Sequence, residues 1–304
     1  MPILHIRHLT TYRYVRPVGF GEHRLMLRPK ESYDQRILHA QLDITPEPTE
    51  LRYVHDVFGN CVGVAQFEGR RSDVLRFDSR VTLEHTPVPL VTEAGEAISA
   101  SGPHFPFAYA AEDMPDLLRS IERHHPDPGG ETAAWARRFL RWNGPTPVLQ
   151  VLADMTHAIR GEFAYAKRLS GAAQSPAETL ERRTGACRDF AVLMMEAARS
   201  LGLAARFVSG YIHAPGAGAQ GKAHKGGGHT HAWVQVYLPS CGWVEFDPTN
   251  GIVGATDLVR VAVVRDPRQA TPLSGVWDGE AGDFAGMDVE VELTAEPPSA
   301  LKAA

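Results

Sequence analysis

The hydrophobic period of this 304-residue chain changes once, near residue 115, and that change limits the folds open to it more than any other feature. Before it, short alternating runs are broken by turn residues: LHIRHLTTYRY, RLMLRP, LHAQLDITP, the DVFGNCVGVAQF segment and VLRFDSRVTLEH. Alternation with a period of two marks strands that bury one face. Asp56, Gly59 and Asn60 supply turn chemistry between two such runs, so a hairpin is predicted there. After the change, apolar residues recur at helical spacing. Leu117, Leu118 and Ile121 form one group, Ala133, Trp135, Ala136, Phe139 and Leu140 a second, and Val148, Val151, Leu152, Met155 and Ile159 a third.

The predicted fold is therefore α+β, with a β-sandwich-like domain over 1–90 and a proline-broken connection over 91–115. A helical subdomain and catalytic core follow over 116–265, then a C-terminal strand and tail over 266–304. Within the core, Ser175 and Pro176 mark a helix start, and Gly202 closes the apolar helix ACRDFAVLMMEAARSLGL. Three strands are predicted after it, AARFVSGYI, THAWVQVYL and GWVEFDP, with a glycine-rich loop at 214–228 that would form a lid at the site. GMDVEVELTA alternates cleanly and is expected to return as a strand to the N-terminal domain.

Composition excludes several function classes. A net charge of -5, from 31 basic and 36 acidic residues, gives no field for nucleic acid. No window approaches the ~18 apolar residues of a membrane helix. Charged residues and histidine fall where a signal sequence needs its apolar stretch, so a cytoplasmic protein without a membrane partner is expected. The three cysteines, Cys61, Cys187 and Cys241, include no CxxC pair, which argues against a disulfide framework or a four-thiolate zinc site. His213, His224, His229 and His231 cluster near the glycine-rich loop, but their irregular spacing matches no zinc pattern. No metal and no cofactor are expected, and the pattern carries no signal of oligomeric state.

The chemistry concentrates on three residues. Cys187 opens the apolar helix, where a thiol faces unpaired N–H groups and the positive end of the helix dipole. His231 begins one strand and Asp247 ends the next, so two adjacent strands can bring both to one edge. In that order the imidazole accepts the thiol proton and returns it to the leaving amine, while the carboxylate fixes the tautomer and stabilises the imidazolium.

RTGACRDFAVLMMEAARSLGLAARFVSGYI followed by HAWVQVYLPSCGWVEFDPTNG resembles the core of the transglutaminase-like superfamily, whose catalytic residues fall here on Cys187, His231 and Asp247. TTYRY, HRLMLRP and DVFGN also resemble the N-terminal region of bacterial transglutaminase-like cysteine peptidases. The resemblance implies a papain-like core, with the nucleophile helix packed on an antiparallel sheet. It also implies a second oxyanion donor from residues 163–168, for which Tyr165 is the candidate. Arg188 departs from the polar uncharged residue common after the cysteine and is a cleft candidate, as are Asp189, Tyr211, His229 and Trp233, although Trp233, like Trp243, is read chiefly as packing the sheet. Asp189 is read chiefly as support for the first helical turn. The expected activity is hydrolysis of an amide or peptide bond in a peptide, protein or other amide through a thioester. The alternatives are transfer of the acyl group to an amine, as in a transglutaminase, and a non-catalytic binding protein of the same fold.

Overall fold

A computed structural model describes residues 2–87, 90, 102–168, 171–213, 228–239 and 241–296. The glycine-rich loop at 214–227 and most of the connection before residue 102 lie outside the described residues.

The chain opens with one long strand, β1 (Ile3–Leu25), where two separate strands are predicted. Register shifts between Arg13 and Val18, and between Phe20 and His23, let it pass Pro17, Gly19 and Gly21 without leaving the sheet. In its first half Leu4, Ile6, His8 and Thr10 point inward by simple alternation. The strands β2 (Gln35–Thr45), β3 (Glu50–His55), β4 (Cys61–Gln66) and β5 (Arg71–His85) complete the order β2-β5-β1-β4-β3. The predicted hairpin joins β3 to β4, with Asp56 Oδ1 accepting from the Phe58 and Asn60 backbone N–H groups at 2.9 and 2.8 Å.

A helical layer follows. It contains α1 (Met114–Ile121), α2 (Glu131–Arg137) and α3 (Val148–Glu162), and the two-residue strand β7 (Thr146–Pro147), which runs directly into α3, pairs with the two-residue strand β6 (His104–Phe105). The short strand β8 (Ala164–Tyr165) then leads to α4 (Pro176–Arg182), and β9 (Thr184–Gly185) leads to α5 (Cys187–Ser200). Ser175 caps α4 in a reciprocal arrangement with Glu178, as its sequence predicts. Gly202, at φ +81°, ends α5 in the left-handed conformation its type favours. Almost every side chain of α5 is buried, including Glu196 and Arg199, which pair at 2.7 Å. Their remaining bonding capacity is used: Glu196 accepts from the His124 and His125 N–H groups, and Arg199 donates to the carbonyls of Ser120, Ala205 and Arg265. Among the described residues no helix is long and apolar enough to cross a membrane.

Helix α5 packs on a five-stranded antiparallel sheet. Its strands are β10 (Ala205–Ile212), β11 (His231–Leu238), β12 (Gly242–Asp247), β13 (Ile252–Val253) and β14 (Leu258–Val264), in the order β13-β12-β11-β10-β14. The last two are additions to the three strands predicted here. LVRVAVV in β14 is buried throughout, because α5 covers one face of the sheet and the N-terminal strands cover the other, so it shows no alternation to recognise. The chain then returns to the first sheet. Strand β15 (Leu273–Asp278), which the sequence pattern does not single out, pairs with the second half of β1. Strand β16 (Phe284–Ala295), the expected returning strand, pairs with its first half. Enclosure of the N-terminal core is thus achieved by one curled seven-stranded sheet.

The two sheets share an interior. Leu4, Ile6, Val81 and Leu83 from one meet Tyr211, Val259 and Val261 from the other. A polar clamp crosses the same junction: Arg260 on β14 donates to Asp34 at 2.5 Å and to Glu245 on β12 at 3.0 Å. Asn60, wholly buried at the hairpin tip, exchanges hydrogen bonds of 3.0 and 2.9 Å with the Val263 backbone.

Two substitutions test this framework by chemical denaturation. Arg260→Met leaves two buried carboxylates without their cation and should cost about 3–5 kcal/mol. Gly210→Ala places a methyl 2.1 Å from the Val259 carbonyl oxygen and 2.6 Å from the Trp233 ring, and should cost about 1–3 kcal/mol through forced backbone movement.

Candidate active site

Cys187 is the first residue of α5, and its approach is built from three short connections. Tyr165 on β8 lies opposite Gly185 on β9, and the Ala166 N–H donates to the Gly185 carbonyl at 2.9 Å, so the Tyr165 segment runs beside the nucleophile's own. Gly185 has no room for a side chain, since a Cβ would lie 2.9 Å from Asp189 Cβ. Asp189, fully buried, receives the Ala186 N–H at 2.8 Å, the Gln174 N–H at 2.8 Å and Arg168 at 2.6 Å. It therefore ties the first turn of α5 to the neighbouring loop, the supporting task predicted for it.

His231 and Asp247 meet at one end of the sheet, with Nε2 of the imidazole 2.8 Å from Oδ2 of the carboxylate, and both side chains are inaccessible to solvent. The turn after β12 fastens Asp247. Its Oδ1 accepts from the Thr249 N–H at 2.9 Å, its Oδ2 accepts from Asn250 Nδ2 at 2.8 Å, and its backbone carbonyl accepts from the Gly251 N–H at 2.8 Å. Trp233 stacks against the His231 ring at 6.0 Å between centroids. With Nε2 engaged by Asp247, Nδ1 is the nitrogen left to face the thiol.

Burial alone would suppress the charge on His231. The Asp247 carboxylate, through its charge and its hydrogen bond, together with Cys187 outweighs that and pushes the imidazole up to about 10. Asp247 moves the other way: burial opposes its ionisation, but His231, Asn250 and the Thr249 N–H hold it below the usual carboxylate range. Tyr165 is raised to about 12 by burial and by the nearby Cys187 and Asp247 charges, so its phenol keeps its proton.

A cavity of about 380 Å³ opens over these groups. Cys187, His231, Tyr165, Arg188 and His229 line it. Three cleft candidates lie elsewhere, and the first of them, Asp189, is fully buried in the first turn of α5. Tyr211 is wholly buried between the two sheets, donating to the Leu27 carbonyl at 3.2 Å and meeting His8 Nδ1 at 3.0 Å. Trp233 is sealed beneath His231 and donates to Glu245 at 2.5 Å. Both are drawn inward by large apolar rings that find a core position with a hydrogen-bond acceptor. The opposite wall is unforeseen: His8, Thr10 and Tyr12 of β1, with Met287 and Val289 of β16, come from the N-terminal sheet. Asn250 is also unforeseen, although Asp-Pro-Thr-Asn-Gly is a turn sequence whose side chains fold back on the backbone. Among the described residues no cluster of three or more His, Cys, Asp or Glu side chains could hold a metal ion.

Fold and site together define an α+β protein with a thiol at a helix start beside a buried imidazole–carboxylate pair. Two family models match it, the bacterial transglutaminase-like N-terminal region over residues 4–84 and the transglutaminase-like superfamily over residues 134–248. The core over residues 134–248 belongs to the transglutaminase-like superfamily. An uncharacterized protein of Mycobacterium leprae is 25% identical to it over 96% of this chain and 98% of its own length. An uncharacterized protein of Mycobacterium tuberculosis is 29% identical over 98% of this chain and 94% of its own. The crystal structure of a "putative cysteine protease" from Cytophaga hutchinsonii, 18% identical, superposes with a TM-score of 0.66 over 97% of this chain and 90% of that one, and so has the same fold.

Because Asp247 is the main reason the His231 proton is retained, Asp247→Asn should lower the imidazole from about 10 toward its ordinary value of 6.5, as read by NMR titration of labelled histidine. The sign for stability follows. A raised histidine contributes fully below 6.5 and loses its contribution as pH rises through about 10, whereas a depressed carboxylate contributes above 3.8 and loses it as pH falls. The wild-type advantage over Asp247→Asn should therefore be largest between about pH 4 and 6.5, decline as pH rises from 6.5 through about 10, and shrink again as pH falls below about 4.

Proposed function

We propose that this protein is a cysteine-dependent hydrolase that cleaves an amide or peptide bond through a thioester on Cys187. One observation carries the reading: a thiol at the N-terminus of a buried helix shares a cavity wall with a histidine whose proton is held by a buried carboxylate. Such an arrangement serves each step of acyl transfer. The Cys187 sulfur bonds to the substrate carbonyl carbon while its proton resides on His231. The negative oxygen so formed meets the Cys187 backbone N–H, which has no acceptor within its own helix, and the protonated Tyr165 phenol. The carbon–nitrogen bond breaks as His231 gives its proton to the leaving amine. Water then attacks the thioester, His231 takes a water proton, and the carbon–sulfur bond breaks to release the acid. Asp247 stays ionised throughout, and Asn250 keeps it in place.

Alkylation at mildly acidic pH provides the first test. Iodoacetamide should modify Cys187 much faster than Cys61 or Cys241, and His231→Ala should remove the difference. Equal rates at all three thiols, unchanged by that substitution, would sink the reading in favour of a binding protein. Cys187→Ala should abolish turnover of glutaminyl peptides, and Asp247→Asn should reduce it by roughly 10²–10⁴-fold. Ammonia release with and without an added primary amine separates water from amine as the acceptor. Faster amine incorporation than hydrolysis would reassign the protein as an acyltransferase.

A further inference from the structure

The cavity wall has one sign of charge. Lys167, Arg168, Arg188 and Arg268 line it, and among the described residues no aspartate or glutamate does, although the whole chain carries a net charge of -5. Two of these cations have carboxylate partners behind the wall: Arg168 pairs with Asp189 at 2.6 Å and Arg268 with Asp266 at 2.8 Å. Lys167 differs. Among the described residues its ammonium meets the ring nitrogen Nε2 of His229 and no carboxylate. Burial and the Lys167 charge both hold His229 below the usual histidine range, so the ring accepts from the ammonium as a neutral group and does not cancel its charge. Beyond them stands His8, kept neutral by burial and lowered to about 4, and bonded to Thr10 and Tyr211.

Position makes this contact relevant to chemistry. Lys167 follows Tyr165 by two residues on the segment tied to Gly185, and His229 precedes His231 by two residues on the approach to β11. Their contact therefore bridges the two sides of the cleft, about 6–7 Å along extended chain from the groups beside the thiol. Lys167 is exposed at the cleft, and a lysine charge without a carboxylate partner among the described residues is stabilised by an anion that arrives beside it.

We infer that Lys167 and His229 form a carboxylate-binding subsite, so that the acyl donor is an acidic peptide or amide whose carboxylate lies within about two residues of the scissile bond. This rests on the reading of Cys187 as the nucleophile, and deepens it by naming the substrate class. Lys167 is the specificity-determining residue, with Arg188 and Arg268 adding to the positive field at the mouth.

Two alkylating probes of nearly equal size test the subsite without knowledge of the natural substrate. Iodoacetate and iodoacetamide both form a carbon–sulfur bond at Cys187 as the carbon–iodine bond breaks and iodide leaves, but only the first carries a carboxylate. In the full-length protein the rate ratio of iodoacetate to iodoacetamide at Cys187 should exceed that at Cys61 and should fall with added salt. Lys167→Met should lower the ratio by roughly 3- to 50-fold, the range for unit charges about 7 Å apart at effective dielectric constants between about 80 and 20. Lys167→Arg should preserve most of it. Arg138→Met, which removes a cation that pairs with Glu162 outside the cavity, should leave it unchanged. A ratio unaffected by Lys167→Met while Cys187 still outreacts the other thiols overturns the subsite alone. Loss of selective Cys187 reactivity in the wild type overturns the nucleophile beneath it.

Discussion

The structure depends on a guanidinium placed between two sheets. Arg260 lies on β14 of the core sheet and binds Asp34, in the turn that leads into β2 of the N-terminal sheet, and Glu245 on β12. Its own N–H and carbonyl exchange bonds with the Gln35 side chain, so the clamp is completed by the backbone. Glu245 in turn accepts from Trp233 and Gln235, and Trp233 stacks under His231. Burial pushes the Glu245 carboxyl upward, and only this set of donors justifies keeping it inside. The junction has a functional consequence, because the cavity is walled by both sheets and exists only while they are docked.

The same economy governs the candidate catalytic groups. Each buried carboxylate near Cys187 has several fixed donors rather than one. Asp189 has two backbone N–H groups and Arg168, while Asp247 has two backbone N–H groups, the Asn250 side chain and His231. A carboxylate bonded so fully has little rotational freedom, so the imidazole and the first turn of α5 inherit its position. Rigidity of this kind comes from turns and helix starts, where backbone N–H groups are left over from regular pairing. That explains why all the polar anchors of the site lie at the ends of elements.

Much of this was legible in local patterns. Ser175 and Gly202 act at the ends of α4 and α5 because capping depends on residues three or four apart. The alternation of GMDVEVELTA marked β16, since one face of that strand is exposed. Legibility failed wherever both faces of an element are covered, or where partners lie far apart in the chain. LVRVAVV looks like any apolar run because α5 and the N-terminal sheet cover both its faces. Tyr211, a cleft candidate by sequence, is buried between the sheets, where β10 shifts register against β14 at Ser209–Gly210, while Trp233 packs in the sheet, the role read for it chiefly. His8 meets Tyr211 across 203 positions, and no local period can announce such a pair.

By itself the sequence determined which groups are chemically equipped: a cysteine at a helix start, a histidine at a strand start and an aspartate at a strand end. It also determined the succession of strands, helices and strands that could hold them, because caps and hydrophobic periods act over a few residues. Only the tertiary structure decided how those groups are tuned and what surrounds them. The imidazole keeps its proton because Asp247 is buried beside it, and the cavity is cationic because Lys167, Arg188 and Arg268 converge there from separate segments. Charge and burial act through space and depend on which distant segments fold against one another, so they appear only when the two sheets close.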